Sequence, residues 1–182
     1  ARLLSFVPQK TDIETDFTAE EIVMTGRTPY QGRFLGTSVN DKEAVSRAFS
    51  LTKANRLKDK KFAVLSGGEK QKIVIARSVA QTTPWMLLDE PIASLDIKNQ
   101  IEIMQTLLEL NRQEGVAVLM VLHDINLAGI YCDRLIMLKD GQVIAAGNTN
   151  ECLCEENLKK LYDISFFHMD TKKGQRYYYA EI

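Results

Sequence analysis

An α/β fold with a parallel sheet and an attached helical lobe is what this sequence predicts, and three observations lead there. Apolar runs at Leu3–Val7, Met86–Leu88 and Val116–Leu122 are short, the last of them β-branched-rich, and each ends in loop residues. Helical periodicity dominates between Thr18 and Gln81. From Met86 onward strand and helix patterns alternate, the order expected of an α/β layered core. With 182 residues and 45% apolar content, the chain has the material for one ordinary domain with a core.

The elements follow in order. Leu3–Val7 reads as a strand that leaves through Pro8-Gln9 into a loop. Thr18 with Glu21 has the spacing of a capping box, so a short helix starts there and stops near Gly26. Pro29, Gly32 and Gly36 mark a loop. Asn40 with Glu43 suggests a second capped helix, whose stripe is Ala44, Val45, Ala48 and Phe49. Ser66 with Glu69 is a third box, opening a helix from about Gly68 to Gln81. Met86–Leu88 is a buried strand tipped by Asp89-Glu90-Pro91. Ile97, Ile101, Met104 and Leu108 define an amphipathic helix ended by Gly115. Val116–Leu122 predicts a strand buried on both faces, with His123 directly behind it. Leu127, Ala128 and Tyr131 suggest a short helix. Asp140-Gly141 is a two-residue hairpin turn between Leu135–Leu138 and Val143–Ala146. A helix around Leu158 and Leu161 and a strand at Tyr177–Tyr179 complete the order.

Bulk properties remove several classes of function. The formal net charge of −1 gives no basic field for nucleic acid. No apolar run is long enough to span a bilayer. Cys132, Cys152 and Cys154 are odd in number and contain no C-x-x-C pair, which argues for reduced thiols. Ala1 in place of methionine, with a strand pattern beginning almost at once, leads to the expectation that the sequence is a piece of a longer one.

The candidate chemistry lies at element ends. A helix N-terminus offers unpaired N–H groups and partial positive charge, and glycines let an anion approach them. Ser66, Gly67 and Gly68 fit that use, although they also fit an ordinary capped helix. Asp89 at a strand tip is placed to hold Mg²⁺, and Glu90 beside it could polarise a water, while a pair of acids solvated in a loop is the plainer reading. His123 could contact a phosphate or be structural, and the Gln9 amide could reach a metal or a water.

In combination these motifs resemble the ATP-binding cassette (ABC) ATPases, from about Leu4 to about Tyr162. LSGGE looks like the signature, MLLDEP like the Walker B strand, SLD like the D-loop, VLHD like the switch-histidine loop and VPQ like the Q-loop. EIVMTGRTPYQGRF and LHDINLAGIYCDRLIMLKDGQVIAAG further resemble the importers for iron–siderophore, haem or cobalamin, MTGRTPY lying where that subfamily's helical lobe meets a permease.

The resemblance implies a P-loop NTPase (RecA-like) core, truncated here, with a helical ABC subdomain over residues 11–81 and the core remainder in 1–10 and 82–182. It implies ATP and Mg²⁺ as cofactors. Glu90 would be the general base and His123 would touch the γ-phosphate. Asp89 and Gln9 would serve the metal, and Gln9 would also couple to the permease. Ser66, Gly67 and Gly68 would cradle ATP held by a second ATPase subunit, with Asp96 helping to join the two. The implied partners are that second subunit in a homodimer, an integral-membrane permease and, indirectly, a solute-binding protein. The implied place is the cytoplasmic side of the cell membrane. Ile92 and Glu69 depart mildly from the family pattern, which usually has threonine and glutamine there.

The larger departure is that G-x-x-x-x-G-K-[ST], the loop that wraps phosphates with backbone N–H groups and a lysine, does not occur in these residues. The chain by itself is therefore expected to bind nucleotide poorly, to be inactive alone, and to expose apolar sheet surface and unpaired strand edges. A hydrolysis-deficient regulatory partner and a non-transport ABC ATPase remain the alternatives.

Overall fold

The computed structural model describes residues 1–9, 15–31, 36–172 and 174–181. They form two compact units, Ala1–Leu122 and His123–Ile182. The predicted loop glycine Gly32 lies outside the described residues.

The first unit is built on three parallel strands, β1 (Leu4–Val7), β2 (Trp85–Leu88) and β3 (Ala117–Met120), with β2 in the centre. The register sets Val7 beside Leu88 and Leu88 beside Met120. Side chains alternate across a strand, so this register sorts them into two faces. Ser5, Val7, Met86 and Leu88 are buried on one. Leu4, Phe6, Trp85 and Leu119 share the other, and each is about half exposed. Apolar surface and strand edges are therefore exposed, as expected from the sequence. The expectation that Val116–Leu122 forms a strand buried on both faces is corrected: among the described residues β3 lies at an edge of its sheet, and no residue in it is fully buried. A continuous apolar run prepares a strand for two covered faces but does not supply the cover.

Among the described residues, four α-helices belong to this unit: α1 (Ala19–Met24), α2 (Val39–Leu51), α3 (Gly67–Ala80) and α4 (Ile97–Glu114). The Thr18/Glu21 and Ser66/Glu69 capping boxes both form. The second box is displaced by two residues from its predicted place. Ser38, not Asn40, caps α2, and Asp41, not Glu43, returns the bond to the cap N–H at 3.0 Å. Ser38 has the extended backbone that an N-cap requires, which puts Asn40 inside the first turn. The α4 stripe is also corrected. Ile103, Met104, Leu107 and Leu110 are buried, whereas Ile97 is 74% exposed. This helix carries more apolar positions than one stripe needs, and packing chooses among them. Gly115 ends it in the left-handed conformation, as read.

A buried knot ties α1 and α2 to the end of α3. Arg27 pairs with Asp41 at 2.9 Å and donates to the Ala80 carbonyl at 2.7 Å. Its guanidinium lies 4.0 Å from the Tyr30 ring centroid, and the Tyr30 hydroxyl donates to the Gln81 carbonyl at 3.0 Å. The Arg27 bond and the Ser38 N–H hold the Asp41 carboxyl below its ordinary range. Gly26 completes the knot, since a Cβ there would stand 2.2 Å from the Arg77 carbonyl oxygen. Arg27 and Gly26 of the MTGRTPY segment are thus buried packing residues, while Thr25 and Thr28 face outward.

Among its described residues, the second unit pairs two antiparallel strand pairs with three helices. β4 (Arg134–Lys139) and β5 (Gln142–Asn148) turn through Asp140-Gly141, both at positive φ, as the sequence predicts. α5 (Ile125–Tyr131), α6 (Thr149–Cys152) and α7 (Glu155–Tyr162) accompany them. The final strand β7 (Arg176–Ala180) pairs with β6 (Phe166–Asp170), which the sequence reading missed along with α6. Met137, Cys152, Leu153, Leu158 and Tyr178 form the core. All three cysteines are free thiols.

Candidate functional site

The parallel pairing of β1 and β2 sends both strands out at the same edge of the sheet. The Asp89 N–H continues the ladder onto the Val7 carbonyl at 2.9 Å. Gln9 and Glu90, two residues past the Val7–Leu88 pair, therefore emerge side by side. The Gln9 amide donates to a Glu90 carboxylate oxygen at 2.7 Å. Eighty-one residues of chain separate them, and strand register alone brings them together.

Glu90 has φ of 45°, the left-handed region that side chains other than glycine seldom occupy. It also precedes Pro91, which disfavours the right-handed helical alternative. Such backbone costs about 1–3 kcal/mol and persists only where the surroundings impose it. Here Pro91 and Ile92 are buried beneath it, and the Gln100 amide of α4 donates to the Ile92 carbonyl at 3.2 Å. The fold thus fixes the direction of the Glu90 side chain.

The α3 N-terminus is a second part of the constellation. Ser66 and Gly67 are exposed, and Gly68 is buried. The Ser66 hydroxyl accepts from the Glu69 N–H at 3.4 Å, while the Glu69 carboxylate accepts from the Ser66 N–H at 3.1 Å. That backbone bond holds the Glu69 carboxyl below its ordinary range. The N–H groups of Gly67 and Gly68, in the first turn, have no acceptor within the helix.

Asp96 caps α4. Its carboxylate accepts from the Asn99 N–H at 2.9 Å and from the Asn99 side-chain amide at 2.7 Å. These bonds lower its pKa. Asn99 is a residue that the sequence reading passed over, although Asp-x-x-Asn has capping spacing and could have flagged it. The structure joins Asp96 to the α3 N-terminus through Asn99, and Gln9 to Glu90 directly. His123 is the first residue of the second unit.

Among the described residues, no cluster of three or more His, Cys, Asp or Glu side chains is placed to hold a metal ion. Mg²⁺ does not require such a cluster, since it keeps several waters and takes one or two carboxylates beside phosphate oxygens. A half-buried Asp89 at the tip of the central strand fits that chemistry.

The family model for ABC transporters matches residues 1–93 of this chain. The chain belongs to the ABC transporter family. Among curated ABC proteins, it is similar to the ferric enterobactin transport ATP-binding protein FepC of Escherichia coli strain K12. The two are 38% identical over 170 residues, 93% of this chain and 63% of the relative. The chain thus spans less than two-thirds of that relative's length. Its fold matches an ABC transporter assigned to the metal-chelate type in an inward-facing conformation, at TM-score 0.92 and 25% identity, over 100% of this chain and 73% of the other. It also matches the dimeric bacterial ABC transporter cassette MJ0796, at TM-score 0.69 and 32% identity, over 81% of this chain and 63% of the cassette.

Proposed function

We propose that this chain is the greater part of the ATP-binding subunit of a bacterial- or archaeal-type ABC importer. ATP hydrolysis by that subunit drives uptake of iron–siderophore, haem or cobalamin. The observation that carries this reading is the Gln9–Glu90 bond at the edge where β1 and β2 emerge, with Asp89 beside it. The similarity to a ferric enterobactin transport protein supports the cargo class.

In this reading Glu90 takes a proton from the attacking water, its direction set by the strained backbone. The water oxygen then bonds to the γ-phosphorus as the bond to the ADP oxygen breaks. The Gln9 amide holds the Glu90 carboxylate, and Asp89 and Gln9 are the residues that would hold Mg²⁺. Mg²⁺, when bound, neutralises charge on the phosphate oxygens. His123 contacts the γ-phosphate. Ser66, Gly67 and Gly68 face ATP held by a second copy, and Asp96 lies at the same junction. The dimeric cassette supports such pairing. Residues 11–81 act as the helical lobe that meets an integral-membrane permease, with the rest as the α/β remainder. That permease would fix the subunit on the cytoplasmic face of the membrane and receive its cargo from a solute-binding protein.

The test is Glu90→Gln in the full-length protein, with ATP turnover as the readout. Removing a general base lowers turnover by about 10²–10⁴-fold. Undiminished turnover would overturn the role of Glu90.

A further inference from the structure

The two glycines of the signature stretch are glycines for different reasons. A Cβ built on Gly67 meets nothing within 4 Å. A Cβ built on Gly68 would stand 2.6 Å from Asn99 Cγ and 2.8 Å from both its Oδ1 and Nδ2. A larger residue at Gly68 would therefore force the Asn99 side chain out of its present place. That same side chain donates to Asp96 Oδ2 at 2.7 Å, while its backbone N–H holds Oδ1 at 2.9 Å. Both carboxylate oxygens of Asp96 are thus oriented by one residue that is itself pressed against Gly68. One turn further along each helix, Lys72 of α3 pairs with Glu102 of α4. The Gln100 bond to the Ile92 carbonyl ties the start of α4 to the loop that follows Glu90.

We propose that Asn99 is a positioning residue that locks Asp96 to the N-terminus of the signature helix, so that both reach the partner subunit's nucleotide as one body. This rests on the reading that those residues face a partner's ATP. An ordinary capping residue at this position would offer only its backbone N–H. The side-chain bond to Asp96 and the fit against Gly68 are what the lock adds. Because the lock shapes the surface presented to the other subunit, its loss acts on the rate of hydrolysis rather than on the grip of each subunit on its own ATP.

The test uses the full-length ATPase assembled in its transporter, with ATP as the probe. Asn99→Asp keeps the shape against Gly68 but replaces the donor by a charge facing the Asp96 carboxylate. We expect kcat to fall about tenfold or more, with KM for ATP unchanged within about twofold. A kcat within twofold of the parent protein would overturn the proposal. So would a kcat loss that disappears on cooling well below Tm, since that would be simple destabilisation. The second arm is a thermal-unfolding cycle. Gly68→Ala should lower Tm in the parent and lose most of that penalty in an Asn99→Ala background. An equal penalty in both backgrounds would show that Asn99 does not dictate the glycine, and the lock would fall. If the parent hydrolyses no ATP, the proposed function fails instead, and the thermal cycle still decides the lock.

Discussion

The two ends of α3 are opposites. Its C-terminal end is gripped by tertiary partners: Arg27 on the Ala80 carbonyl, Tyr30 on the Gln81 carbonyl, and the Gln81 amide on the Leu4 carbonyl at 3.1 Å. The last carbonyls of a helix have no partners within it, and here the rest of the unit supplies them. Its N-terminal end is capped by its own neighbour, Ser66, and presents Gly67 to open space, with Gly68 against the Asn99 side chain. The contrast separates holding from offering: one end anchors the helix to the unit, and the other keeps donors available.

The strongest way to break this contrast is at the anchored end. Arg27→Ala leaves Asp41 buried without its cation and the Ala80 carbonyl without its donor. We expect a loss of about 3 kcal/mol by chemical denaturation. A loss under about 1 kcal/mol would mean that the knot does not hold the helix. At the open end, Ser66→Ala removes the cap and should cost about 1 kcal/mol. A loss as large as that of Arg27→Ala would erase the difference between the ends. Gly67→Ala is smaller still. With nothing near the new Cβ, stability should stay within about 0.5 kcal/mol of the parent, or rise, because alanine favours helix. Under the proposed phosphate-contact role of Gly67, turnover of the full-length protein should nevertheless fall, because the methyl would obstruct that approach. Normal turnover would show that Gly67 is not a contact point.

The smallest effect is in pH. The Glu69 carboxyl is lowered from its ordinary 4.5, mainly by the Ser66 N–H. A group lowered on folding adds stability above its unfolded pKa and loses it as pH falls through the folded one. The stability advantage of the parent over Glu69→Gln should therefore be constant near neutrality and shrink below about pH 4.5. An advantage that persists unchanged into stronger acid would exclude a charged Glu69 as its source. The same sign applies to Asp41, lowered by Arg27, so acid should loosen the anchored end as well.

What could be read from the sequence depended on how local the cause was. The Thr18/Glu21 and Ser66/Glu69 boxes involve bonds across three residues, and both form. The Asp140-Gly141 turn needs only two residues at positive φ, and it forms. The second box was misplaced because Ser38-x-x-Asp41 and Asn40-x-x-Glu43 overlap. Asp41 is also the partner of Arg27, fourteen residues earlier in the chain, which no three-residue pattern displays. The α4 stripe failed for a related reason. Ile97 and Ile101 keep helical spacing with Met104, but burial fell on Ile103 and Leu107 instead.

The sequence by itself determined the order of most elements, the Thr18/Glu21 and Ser66/Glu69 caps and the Asp140-Gly141 turn, because each is written in neighbouring side chains. Only the tertiary structure decided that Gln9 meets Glu90, that Arg27 is a buried anchor, and that Asn99 lies against Gly68. Those facts rest on strand register and helix packing across tens of residues, where a contact depends on the position of the whole backbone and not on any pattern within a segment.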